Sequence, residues 1–264
     1  MLLVVYMALG SVAGFLAGLF GIGGGVIVVP VLVLAFSLQG ISPELVFYMA
    51  IATSLANIMF TSLSAIRMHQ KIGAIEWHLV KPIALGMLFG SFLGVNTALS
   101  IPAVYLQASF GAFAIFLSLK MMLSSAALGK LRLPGARGLS FVGMLIAWVS
   151  ALFGIGGGNL LVSWLVNRQL VMQKAVATAS ACGFAIAISG AMSNWYLGWD
   201  NALLPEYSLG YVYLPALLGI VSTSFIAAGY GAKIAHRLSA QMLKRLFAWM
   251  LLLVGLRMLI SIWF

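Results

Sequence analysis

Charge is the first thing this sequence lacks. Only 7% of its 264 residues are charged, 4 of them acidic, against about 25% in an average soluble domain. A water-soluble fold of this size has no way to build its surface from so few charges. Glu44, Glu76, Asp200 and Glu206 all fall near the ends of apolar segments, which excludes a chain of carboxylates relaying protons at mid-membrane depth. A single cysteine, Cys182, excludes an intrachain disulfide and any multi-cysteine metal site, and reads as an apolar filler. No H-E-x-x-H, G-x-S-x-G or Walker A string occurs, so neither hydrolase nor ATPase chemistry is expected. The first Lys or Arg is Arg67, and without a basic n-region a cleaved secretory signal is not expected.

What is present is apolar sequence, 63% of the chain. It recurs in runs long enough to cross a hydrocarbon core of about 30 Å, and the fold class read from it is an all-α polytopic membrane protein. The apolar segments are Leu2–Phe20, Val26–Ser37, Leu45–Ile66, His78–Thr97 and Pro102–Leu123, then Leu139–Phe153, Asn159–Asn167, Leu170–Trp195, Gly210–Gly229 and Ala240–Phe264. A polar stretch, Ser124–Gly138, separates the two groups. The net charge of +10 does not indicate nucleic acid, because the basic residues cluster in short connections as the positive-inside rule requires. His69, His78 and His236 fall in the same basic connections.

The chain repeats itself. "GLFGIGGGVIVVPVLV" (Gly18–Val33) is answered by "ALFGIGGGNLLVSWLV" (Ala151–Val166), and "AIATS" (Ala50–Ser54) by "AVATA" (Ala175–Ala179). This divides the chain into a repeat at 1–133 and another at 134–264 within one membrane domain. Connections 67–81, 120–137, 168–174 and 233–245 hold 13 of the 14 Lys and Arg, whereas 39–44, 96–102 and 195–209 hold none. Placing the basic connections on the cytoplasmic side requires 139–167 to enter and return as a re-entrant hairpin. Each repeat is then a glycine-broken hairpin plus three full spans, and three being odd, the repeats are inverted. Eight full spans with parallel repeats would put two basic connections outside. Both termini are expected outside.

Gly10, Gly14 and Gly18, like Gly86, Gly90 and Gly94, are spaced by four and read as close-packing faces. The G-I-G-G-G runs differ, since consecutive glycines occupy several faces at once. They read as helix breaks, tolerated at membrane depth only where protein or a watery cavity satisfies the backbone. The half-helices restarting near Val26 and Asn159 each present unpaired N–H groups worth about half a positive charge, so two converging termini complement a small monoanion. The expected substrate-binding residues are therefore Gly23, Gly24, Gly25 and Val26 with Gly156, Gly157, Gly158 and Asn159, the last as a cap. Mid-span Thr53, Ser54, Asn57, Thr178 and Ser180 are added as hydrogen-bonding groups, although each serves equally well as interhelical polar glue.

These glycine motifs, "AIATSLANIMFTSLSAIR", "GAIEW" (Gly73–Trp77) and the second-half "AVATASA" and "LGWD" make the chain similar to the sulfite exporter TauE/SafE family over nearly its whole length. The resemblance implies a bacterial inner-membrane permease for small anions, often sulfur-containing ones such as sulfite or sulfoacetate, with no cofactor and no metal. The repeats are not identical: Ala179 stands where the first has Ser54, Ser163 where it has Pro30, and Asn159 where it has Val26. The partners expected are the small anion and the lipid bilayer, with no nucleic acid and a homo-oligomer left open. An anion channel and a non-transporting membrane partner subunit are the alternatives to a carrier, and no nucleophile–base pair points to an enzyme.

Overall fold

The computed structural model describes residues 2–20, 25–123, 132–235 and 240–261. Ten helices follow in order: α1 (Leu2–Phe20), α2 (Gly25–Leu38), α3 (Pro43–Lys71), α4 (Trp77–Ser100), α5 (Ala103–Leu123), α6 (Ala136–Leu152), α7 (Gly158–Val166), α8 (Met172–Leu197), α9 (Leu214–Ala235) and α10 (Ala240–Ile260). Among the described residues α3, α4, α5 and α8 are long and apolar enough to cross a membrane, as expected for a polytopic membrane protein. The helix boundaries follow local chemistry. Pro43 opens α3 at a first-turn position where its missing N–H costs nothing, and Gly40 and Gly73 take φ of +74° and +67° in the turns before and after that helix. His69 lies in the last turn of α3 and His78 in the first turn of α4, so both sit on helix ends; His236 is outside the described residues.

α3 and α8 are the buried centre. Thr53, Ser54 and Thr178 are fully enclosed, with Phe47, Met49, Leu55, Cys182 and Ile186. Around this centre the two halves exchange helices. α4 leaves its own half to pack along α6 and α8, and α9 packs along α1. The exchange is driven by small residues that let backbones meet. A Cβ added at Gly86 would collide with the Ser140 carbonyl, one at Gly90 with that of Met144, and one at Gly143 would lie 2.5 Å from that of Ile83. On the other pair, a Cβ at Gly10 would lie 2.7 Å from Ile220 Cα. The four-residue glycine spacing was thus a correct guide to packing, but not to which helix it would face. α5 pairs with α10, where Ser118 Oγ donates to the Ala248 carbonyl at 2.7 Å.

One element lies outside the helical reading. Ser208–Leu209 and Val212–Tyr213 form a two-stranded antiparallel ribbon that turns at Gly210 (φ +54°). It feeds Tyr213 into an edge-to-face trio with Tyr6 and Phe36, with ring centroids 5.7 to 6.3 Å apart.

Candidate functional site

The second glycine run is a turn. α6 ends at Leu152, Gly154 and Gly157 take φ of +65° and +66°, and α7 restarts at Gly158. Left-handed backbone of this kind favours glycine. The chain folds back on itself, because a Cβ at Gly157 would lie 3.1 Å from Ser150 Oγ and 3.5 Å from Ile146 Cγ2, both on α6. The first bond of the α7 ladder runs from Leu161 N–H to the Gly157 carbonyl at 3.0 Å. The N–H groups of Gly158, Asn159 and Leu160 therefore precede the helix's own ladder. Gly157 is the cap residue, and no side chain caps the helix. This corrects the expected cap at Asn159: the left-handed turn ends one residue before Gly158, which leaves Asn159 inside the first turn and half-buried.

Of the first run, Gly23 and Gly24 lie outside the described residues. Gly25 and Val26 open α2 and are buried. The two runs meet there, because a Cβ at Gly25 would lie 2.8 Å from the Gly154 carbonyl oxygen and 3.1 Å from Ile155 Cα. Ser54 joins them by donating its hydroxyl to that same carbonyl at 2.8 Å. Ile58, one turn further along α3, packs against both Gly25 and Gly156. Asn57 stands between Ser54 and Ile58 in sequence; it is 2% exposed, and its Oδ1 has no hydrogen-bond partner. A buried amide oxygen left unpaired is costly. The structure thus gathers Gly25, Ser54 and Gly154–Gly156, and the start of α7 follows within two residues. The space beside Gly158 is open, with nothing within 4 Å of an added Cβ.

Thr53 and Thr178 do other work. Thr53 Oγ1 accepts the Tyr213 N–H at 3.1 Å, and Thr178 Oγ1 accepts the Glu76 N–H at 3.2 Å. Tyr213 immediately precedes α9 and Glu76 caps α4, so each threonine fastens the start of a helix from the opposite half. Each hydroxyl keeps its own hydrogen to donate. Ser180 donates to the Val176 carbonyl one turn back at 2.9 Å.

Glu76, read from the sequence only as an acid near a segment end, is paired in the structure. Lys174 Nζ donates to its Oε1 at 2.6 Å, and His78 Nδ1 stands 3.4 Å from Oε2. The Lys174 hydrogen bond holds the Glu76 carboxyl below the usual glutamate range. A depressed carboxylate pKa stabilises the fold above the group's ordinary pKa and loses that contribution as pH falls through the lowered value. Glu76→Gln is accordingly expected to lower the thermal midpoint at neutral pH, with the gap from wild type closing in acid. A gap that persists unchanged below pH of about 3 would show that the charge is not what matters.

The comparisons with known proteins bear on this geometry. A family model described as Sulfite exporter TauE/SafE matches residues 6–258. The chain belongs to the sulfite exporter TauE/SafE family. A Haemophilus influenzae relative named a probable membrane transporter protein is 36% identical over 260 residues, covering 97% of each chain. A Methanocaldococcus jannaschii protein of the same description is 29% identical over 263 residues, 98% of this chain and 96% of its own. One from Bacillus subtilis is 26% identical over 276 residues, 97% of each. No solved structure matches the chain. Family membership and these relatives identify this TauE/SafE chain as a membrane transporter.

Proposed function

We propose that this TauE/SafE chain is a secondary transporter, working as an exporter, for a small sulfur-containing anion such as sulfoacetate or sulfite at the bacterial inner membrane. The observation that carries the reading is the start of α7, where N–H groups ahead of the ladder stand beside open space at Gly158. They lie next to the point where the two glycine runs meet. Helix N-termini accept an anion without a lysine or arginine in the bilayer, each of which costs about 2.5–3.5 kcal/mol at the midplane. Asn57 is the polar group best placed along α3 to discriminate among anions, since its buried oxygen has no other partner. The basic connections face the cytoplasm and both termini lie outside, with the repeats inverted. The matched pairs Thr53–Tyr213 and Thr178–Glu76 support that symmetry, because each joins the same two positions of opposite repeats. Alternating access then comes from rearrangement of helices around the glycine runs. With the interior negative, efflux of a monoanion is downhill by ~2.3 kcal/mol per 100 mV, so no coupling cation is required.

Labelled sulfite and sulfoacetate flux from proteoliposomes holding the purified protein tests this. Saturable efflux stimulated by counter-substrate is the expected result. Flux that rises linearly with concentration would instead mean a channel. Rates equal to empty vesicles for both anions, with no shift of the thermal midpoint on adding either, would favour the partner-subunit reading.

A further inference from the structure

The turn from α7 into α8 holds a cation in a fixed place with no anion beside it. Arg168 follows Trp164 by one helical turn, so both fall on one side of α7 as it ends. The Arg168 Cζ stands over the Trp164 ring, 3.8 Å from its centroid, a cation–π stack. The turn itself is tight. Gln169 N–H returns to the Val166 carbonyl at 3.0 Å and Leu170 N–H to the Leu165 carbonyl at 3.2 Å, with Gln169 at φ +66°. This is how a helix closes on a left-handed residue, and it fixes the backbone on both sides of Arg168. Stack and turn together hold the guanidinium.

The counter-charge is what it lacks. The chain has 4 acidic side chains, all among the described residues, and the ion pairs they form join Glu76 to Lys174 and His78. None reaches Arg168. Its Nε is buried and makes no hydrogen bond. Lys174, further along the same connection, differs in having Glu76 at 2.6 Å.

The surroundings are amphiphilic. α8, which starts at Met172, is long and apolar enough to cross a membrane. Arg168 and Trp164 therefore fall at the edge of a span, the level at which such side chains meet lipid headgroups. Val171 and Met172 are 60% and 56% exposed. A soluble anion would answer the guanidinium and leave these two side chains in water. A phospholipid answers both.

We propose that Trp164, Arg168, Val171 and Met172 form a binding site for an anionic phospholipid, its phosphate on the guanidinium and its acyl chain along Val171 and Met172. A guanidinium can donate two parallel N–H bonds to a phosphate, and stacking on Trp164 sets its plane beforehand. A headgroup of net negative charge fits better than a zwitterionic one, because choline would bring a second cation to a cation that has no carboxylate. The site stands at the opposite end of α7 from Gly158 and requires no transported substrate, so it holds or fails apart from the transport reading.

The test titrates the full chain, delipidated in detergent, with phosphatidylglycerol or phosphatidylcholine of identical acyl chains, read by native mass spectrometry. Wild type is expected to bind its first phosphatidylglycerol about fivefold more tightly than phosphatidylcholine. Arg168→Gln should erase that preference, and Arg168→Lys, which keeps the charge without the planar fork, should retain only part of it. Glycerol 3-phosphate, a headgroup without acyl chains, should not displace the lipid. A wild type that does not distinguish the two lipids overturns the proposal, as does folded Arg168→Gln with the preference intact. Displacement by glycerol 3-phosphate overturns it too, and would make this a site for soluble phosphates. A crosslinking measurement that keeps Arg168 stands apart from the folding of that variant. The photoreactive residue p-benzoylphenylalanine is placed at Val171, or for comparison at Leu253, exposed on α10, in nanodiscs of equal phosphatidylglycerol and phosphatidylcholine. The ratio of phosphatidylglycerol to phosphatidylcholine captured at Val171 should exceed that at Leu253 by about threefold or more. Equal ratios at the two positions would sink the site.

Discussion

Gly158→Leu leaves the protein folded and abolishes anion flux: that is the expected result, and it is the sharpest one the glycine runs offer. Gly158 opens α7, its φ is not positive, and a Cβ there meets nothing within 4 Å. The substitution relieves the glycine penalty in a helix, worth up to about 1 kcal/mol, so the thermal midpoint should stay or rise. The leucine side chain would occupy the open space next to the first N–H groups of α7, where the anion is proposed to bind. Losing even one charge-assisted hydrogen bond of about 1.5–3 kcal/mol lowers affinity roughly tenfold or more. Gly154→Leu is the informative contrast. At φ +65° its Cβ would lie 2.9 Å from both Ile51 Cα and Val29 Cγ2, so it should fail to give folded protein at all. Full flux in folded Gly158→Leu protein would place the substrate elsewhere.

That contrast also shows what the sequence could and could not reveal. The helix list was legible because apolar runs of membrane length are a one-dimensional property. The break at Gly154–Gly158 was legible because four glycines in five residues cannot share one helix face. The pairing of faces was not. Gly86, Gly90 and Gly94 announce a close neighbour, but nothing local says that the neighbour is α6, from the opposite half, rather than α3 or α5 of their own. Thr53 and Thr178 were legible as buried polar residues in matching repeats. Their role in accepting the leading N–H of α9 and α4 depends on three-dimensional proximity that no spacing encodes. Glu76 was read only as an acid near a helix end. Its pairing with Lys174, 98 residues away, becomes visible only once α4 is seen to start over the first turns of α8. The ribbon at 208–213 is two residues per strand, too short for an alternating pattern to show.

The exchange of helices between halves has a consequence for folding. Neither half can complete its packing until the other is present, since α6 is buried against α4 and α1 against α9. Within the bilayer, where lipid competes as well as leucine for apolar surface, such association rests on close packing and a few hydrogen bonds. The glycine seams therefore carry more of the stability than their size suggests, and Ser91, Ser118, Ser140 and Ser189, each donating to a carbonyl of another helix, with Ser54, donating to the Gly154 carbonyl in the turn before α7, lock the register that the seams permit.

Gly86→Leu is for this reason the substitution expected to destabilise most. The Cβ alone would collide with the Ser140 carbonyl, with Ser140 Cα 2.9 Å away, and backbone on both sides leaves no flexible side chain to move aside. To accept it, α4 and α6 must separate, which breaks the Ser140–Pro82 hydrogen bond and opens the seam at Gly90 and Gly143 as well. Overpacking of this kind typically costs about 1–3 kcal/mol, and more where the backbone itself is blocked; with the lost hydrogen bond of about 1 kcal/mol, loss of most folded protein is expected. Gly86→Ala should already lower the thermal midpoint, whereas Gly135→Ala, where an added Cβ meets nothing within 4 Å, should not change it. Size-exclusion profiles and thermal midpoints of the three detergent-purified variants decide the matter. A monodisperse Gly86→Leu protein melting with wild type would mean that α4 and α6 are not held in this contact.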